Sequence, residues 1–231
     1  MASLGLRVER IPNAERIRAS LLQGTSGWNV EFVGPSGVGK TYLCRQVAPS
    51  LSRHWFFERH AKSLSGSVPE DPLKAQYFSL LYAARFVRLQ NTDLGLARRA
   101  AIVARMSEVI RQGLVAHSLG LPRGFILDDG IAHFFAEQIL AQDINTTATY
   151  LRDMGLIFLL PPRPDTIELE ALAIDKSVSQ ALREAAIYWR LYDLATHCGA
   201  QILTLDATER RLNPQKVHHF FDTFFTPKRL L

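Results

Sequence analysis

Eight consecutive residues, 34-GPSGVGKT-41, carry the clearest chemistry in the chain. They fit G-x-x-x-x-G-K-[ST] in full, and they sit where that pattern needs to sit. The apolar run 28-WNVEFV-33 predicts a strand before them, and 40-KTYLCRQVAPSL-51 predicts a helix after them. Glycines at 34, 37 and 39 let the loop from Gly34 through Pro35, Ser36, Gly37 and Val38 to Gly39 turn tightly and bring backbone N–H groups close to an anion. The helix that opens near Lys40 adds its positive end. Lys40 then reaches the β- and γ-phosphates of a nucleotide as a point charge, and the Thr41 hydroxyl is placed to ligate Mg²⁺.

A magnesium-bound nucleotide also needs a carboxylate at the tip of a neighbouring strand, because Mg²⁺ keeps several waters and takes hard oxygen ligands. The run 124-GFILDDG-130 supplies two. Asp128, first after the apolar residues, reads as the water-mediated magnesium partner, and Asp129 as its neighbour facing an acceptor. A helix N-cap is the competing role for both, since Ile131 onward is predicted helical.

These groups need a frame. Short apolar runs at 28–33, 54–58, 124–127, 155–160 and 200–206 alternate with helical periodicity at 40–51, 71–117, 131–142, 177–198 and 214–225, and a further helix is predicted at 12–23. Near-continuous apolar strands separated by helices imply a buried parallel sheet. The expected fold is α/β: a three-layer α/β/α arrangement with a mostly parallel five-stranded sheet in one domain, 1–231. A helical insertion is expected at 71–123, between the second and third strands.

Composition narrows the function classes. Hydrophobic residues at 47% and charged ones at 21% are ordinary for a globular chain, which excludes a disordered or disulfide-built protein. Cys44 and Cys198 lack metal-ligand spacing and read as reduced, buried thiols of a cytoplasmic protein. No apolar run reaches the roughly 20 residues of a membrane span. The formal charge of +5 comes without any run of five or more Lys and Arg, which argues against nucleic acid as the main partner and for a basic pocket. Between Arg85 and Arg123 seven arginines face only Asp93 and Glu108. Arg98 and Arg105, seven apart on one helical face, suit an acidic or phosphorylated acceptor; a solvated basic surface is the plainer alternative. His117, His133, His218 and His219 read as structural, and Tyr77, Phe78 and Tyr82 as helix packing or a pocket wall.

With GPSGVGKT and FILDDG on the page, the layout from Trp28 to about Phe225 resembles the P-loop kinase group, and within it the thymidylate kinase and deoxynucleoside kinase branch. The resemblance implies ATP and Mg²⁺ as ligands, a small polar and in part acidic acceptor, and phosphoryl transfer as the reaction; it is compatible with a homodimer. It implies that the helical insertion at 71–123 lies on the acceptor side, and that Glu58, at the end of the second strand, orients the acceptor hydroxyl, with Lys40 and Asp129 beside it in catalysis. Arg59, Arg98, Arg105, Arg163 and Arg183 become the acceptor and lid candidates. Two departures stand out: Asp128-Asp129 occupies the place of an acid-arginine pair, and no compact R-x-x-x-R lid precedes the long helix at 177–198. The rival reading is a nucleotide-driven switch acting on a protein or nucleic acid.

Overall fold

Residues whose side chains are apolar on both faces of the backbone build one sheet, and all its pairings are parallel. The computed structural model describes residues 29–51, 55–57, 72–118, 124–152, 154–163, 176–207 and 214–225. Within them β1 (Asn29–Val33), β2 (Trp55–Phe57), β3 (Gly124–Leu127), β4 (Met154–Leu160) and β5 (Gln201–Asp206) take the order β2-β3-β1-β4-β5. The central strand β1 pairs Asn29 with Phe125 of β3 on one side and with Met154 of β4 on the other. The period-2 geometry of a strand divides β4 between two cores. Leu156, Phe158 and Leu160 face one cluster, and Ile157 and Leu159 the other.

Eight helices are described: α1 (Lys40–Leu51), α2 (Pro72–Gln90), α3 (Leu96–Ser118), α4 (Ile131–Phe134), α5 (Ala136–Leu140), α6 (Ile144–Leu151), α7 (Lys176–His197) and α8 (Pro214–Phe225). On one face, Leu43 and Val47 of α1 and Val217 and Phe221 of α8 pack against Val30, Phe32 and Ile157. There the buried Trp55 ring meets Phe221 edge-on at 4.8 Å. On the other face, Phe78 and Leu81 of α2, Met106 of α3 and Leu191 of α7 close over Val33, Leu156 and Phe158.

Two local expectations change, and one open alternative is decided. The helix predicted over 131–142 is two short ones, α4 and α5, broken at Phe135. A helix not predicted, α6, follows them: the Asp143 carboxylate accepts the Thr146 N–H at 2.9 Å and starts it. Tyr77 and Phe78 are core residues, their rings 5.3 and 5.5 Å from that of Tyr150, and do not line the pocket described below. The helix predicted at 12–23 lies outside the described residues. Cys44 and Cys198 are both buried and form no disulfide among the described residues, and no described helix is long and apolar enough to cross a membrane.

Candidate active site

The loop between β1 and α1 takes the shape its glycines permit. Gly34, Gly37 and Gly39 have φ of 151°, 81° and 95°, in the region that favours glycine. Gly34 also lies against β4, where a Cβ would stand 2.2 Å from the Leu159 carbonyl oxygen. Lys40 folds back under this loop, its Nζ donating to the carbonyls of Gly34 at 3.0 Å and Pro35 at 2.9 Å. Burial lowers the lysine's pKa, while Asp129, Asp128 and Glu184 counter that by favouring the charge. The cation thus has two carbonyl partners, both neutral.

A cavity of about 690 Å³ opens from the loop. It is lined by Ser36, Gly37, Lys40 and Thr41 of the loop and α1, and by Arg85, Asp129, His133, Glu184 and Tyr188. The second set converges from separate elements: Asp129 follows β3, Arg85 is on α2, His133 on α4, and Glu184 and Tyr188 on α7.

Asp129 is held from two sides. Its Oδ2 accepts from Arg105 Nη2 at 3.2 Å, and its Oδ1 lies 3.1 Å from His133 Nε2. Burial would raise its pKa, but the His133 hydrogen bond and the charges of His133, Arg105 and Lys40 outweigh burial and leave it below the usual carboxylate value. His133 in turn has Nδ1 2.9 Å from the Tyr188 hydroxyl and stacks on that ring at 5.5 Å. Burial depresses the histidine's pKa despite Asp129. A neutral imidazole satisfies both contacts in one tautomer, with Nε2–H donating to Asp129 and Nδ1 accepting from Tyr188.

Arg85 reaches the same cavity. Its Nη1 donates to the Phe134 carbonyl and its guanidinium lies 4.1 Å over the Phe134 ring, with burial lowering its pKa. Other arginines are matched to carboxylates: Arg88 to Glu137, Arg105 to Asp129, Arg111 to Glu108 and Arg163 to Asp193. Arg85 makes no such pair among the described residues.

The residue beneath this arrangement is Glu31, which is 0% exposed at the centre of β1. Its carboxylate accepts the N–H groups of Ile131 at 3.1 Å and Ala132 at 2.7 Å, and the Tyr150 hydroxyl at 3.3 Å. Burial raises its pKa to about 7, against the lowering effect of those donors.

The sequence-predicted residues divide accordingly. Lys40, Thr41 and Asp129 line one cavity. Asp128 sits half-buried next to Asp129, without a hydrogen bond or ion pair among the described residues, close enough to favour the charge on Lys40. Arg105 reaches the site, but through Asp129. Arg98, on the first turn of α3, and Arg183, on α7, are exposed and absent from the cavity lining. Arg163 lies over the Trp189 ring at 5.0 Å and pairs with Asp193, also outside it. Glu58 and Arg59 lie outside the described residues. His133, read from sequence as structural, lines the cavity; its signal was the four-residue spacing from Asp129. Arg85 is named from sequence only as one of seven arginines, and Glu184, Tyr188 and Glu31 are not among the sequence candidates, although a glutamate inside the apolar run NVEFV is itself a signal.

Thr41 and Asp128 offer oxygen donors that fit Mg²⁺ carried by a nucleotide, whose phosphates complete the shell. Among the described residues no group of three or more His, Cys, Asp and Glu is disposed to hold a metal ion unaided.

No family model matches the chain, and no curated protein matches it. Among solved structures it is similar to the shikimate kinase from Acinetobacter baumannii in complex with shikimate, at 15% identity over 90% of this chain and 97% of that one, with a TM-score of 0.35. At that identity and TM-score the likeness assigns neither activity nor substrate.

Proposed function

We propose that the protein is a magnesium-dependent phosphotransferase that moves the γ-phosphoryl of ATP to a hydroxyl or phosphate of a small polar acceptor. One observation carries the reading: the phosphate loop opens into a cavity that continues past Lys40 to Arg85, His133 and Tyr188. A cavity of about 690 Å³ walled by residues of α2, α4, α5 and α7 as well as by the phosphate loop has room for a second substrate beside a triphosphate. A switch that only hydrolyses nucleotide has no use for that compartment.

In the transfer, an acceptor oxygen forms a bond to the γ-phosphorus, the bond to the β–γ bridging oxygen breaks, and ADP leaves. Such a reaction asks for positioning and charge neutralisation more than covalent work. The loop amides and Lys40 would hold the phosphates. Mg²⁺, with Thr41 and a water-mediated Asp128 as its protein ligands, would supply further neutralisation. Arg85, which makes no ion pair with a carboxylate among the described residues, is suited to an acidic group on the acceptor. The acceptor proton goes to Glu58, since both Asp129 oxygens are engaged and its depressed pKa makes it a poor proton acceptor; Asp129 serves as a fixed anion.

The test is transfer itself. Protein incubated with γ-labelled ATP, Mg²⁺ and fractionated metabolite pools should move label to a small molecule that gains the mass of one phosphate, and Lys40→Ala should abolish it. Label appearing only as inorganic phosphate across all pools would favour the switch.

A further inference from the structure

A carboxylate at the middle of a buried strand is a costly choice. Desolvation opposes its charge, and an aliphatic residue at 31 would serve the sheet better. The partners of Glu31 indicate what the position is for. Its oxygens receive the first two amides of α4 and the Tyr150 hydroxyl of α6. Helix starts are ordinarily satisfied by a side chain at the N-cap, but that position is Gly130, which makes no side-chain cap. A side chain there could not fit: a Cβ on Gly130 would lie 2.2 Å from the Glu31 carboxyl carbon and 2.4 and 2.5 Å from its oxygens. The cap comes instead from a residue about a hundred positions earlier in the chain, on the strand that runs into the phosphate loop. Glu31 pairs in register with Leu127, the residue before Asp128. The turn Asp128-Asp129-Gly130 is therefore tied at one end by sheet pairing to β1 and at the other by the Glu31 carboxylate. A local cap at 130 would hold α4 equally well but would leave the far end of the turn without its tie to β1.

We infer that Glu31 is a positioning residue of the nucleotide site, which locks the Asp128-Asp129-Gly130 turn to the strand carrying the phosphate loop and so sets where the Asp128 carboxylate meets metal-bound nucleotide. This role rests on the phosphotransferase reading, because it needs Asp128 to act on a metal–nucleotide complex. Glu31 touches neither substrate nor metal; it acts through the backbone of residues 130–132.

Glu31→Gln keeps the shape, but its amide nitrogen would confront an N–H donor where an oxygen now accepts. Three measurements separate a positioning role from a merely structural one: Mn²⁺ affinity of the complex with β,γ-imido-ATP by electron paramagnetic resonance, metal-free nucleotide affinity, and hydrogen exchange at the Ile131 and Ala132 amides. The expected result is a loss of about tenfold or more in Mn²⁺ affinity, metal-free nucleotide affinity within about twofold of wild type, and faster exchange at both amides. Gly130→Ala, which leaves Glu31 in place and displaces the turn, should reproduce the metal defect. If Glu31→Gln does not fold, Glu31→Val substitutes a sheet-forming residue and takes its place in the same measurements. Folded variants that hold Mn²⁺ within about twofold of wild type overturn the role. A wild-type protein that binds no metal–nucleotide complex overturns the phosphotransferase reading, and this role with it.

Discussion

Two consecutive carboxylates, Asp128 and Asp129, are asked to do opposite things. Asp128 is unpaired among the described residues and Asp129 is held by Arg105 and His133. Asp128→Asn should therefore leave the fold and nucleotide affinity nearly intact while lowering turnover about a hundredfold, as for a group that acts where charge develops. Paired measurements of nucleotide affinity and single-turnover transfer check it; an equal loss in both would assign Asp128 to ground-state binding. Glu31 makes a different kind of prediction. Its pKa rises from 4.5 to about 7 on folding, so between those values the native state binds a proton that the unfolded chain has released. Stability from this group is full below about pH 4.5 and is lost as pH rises through about 7, amounting to about 3 kcal/mol. His133, with a lowered pKa, runs the other way, losing stability as pH falls below the ordinary histidine value. The informative quantity is the difference between wild type and Glu31→Gln in urea unfolding at pH 5 and pH 8. It should shift in favour of the glutamine variant at the higher pH by up to that amount.

Elements differ in how much of them a sequence can declare. The phosphate loop was legible because everything that shapes it is contiguous: three glycines, a lysine and a threonine between a strand and a helix. Helix α6 was not, because Thr146, Thr147 and Thr149 weaken helical propensity and the start depends on the single Asp143 cap. The arginine pair misled for a related reason. Seven-residue spacing puts Arg98 and Arg105 on one face of α3, but whether that face meets a carboxylate depends on β3, which only the fold supplies. The chain's own contacts decided that Arg85 reaches the cavity while Arg98 does not. Glu31 was hidden most completely, since its partners lie on α4 and α6. At the junction of loop and sheet, Gly34→Ala places a methyl against the Leu159 carbonyl at a φ that disfavours any side chain. It should cost more than 1 kcal/mol of stability and abolish nucleotide binding. The same change at Gly95, where an added Cβ meets nothing within 4 Å, should do neither; thermal melts with and without ATP distinguish the two.

For the molecule as a whole, nucleotide binding to the native state alone should appear as stability. At a hundredfold excess over Kd, ATP with Mg²⁺ contributes about 2.7 kcal/mol, or roughly 5–11 °C in Tm for a chain of this size. Lys40→Ala should remove most of that shift. No shift with millimolar ATP would sink the functional reading of the loop while leaving the architecture untouched.

The strand order also dictates a timetable. Asn29 finds its neighbours at Phe125 and Met154, roughly a hundred residues away, and no described strand pairs with another through a hairpin. Gly34 cannot settle until Leu159 has arrived beneath it. The loop should thus be among the last parts to acquire its native shape, after the chain has closed its longest loops. ATP with Mg²⁺ can grip only the finished protein, so it should slow unfolding by about a hundredfold at that same excess and leave the refolding rate unchanged. Stopped-flow fluorescence, with the buried Trp55 beside Phe221 among its reporters, reads both limbs; refolding accelerated by nucleotide would mean that the loop forms early, ahead of β4.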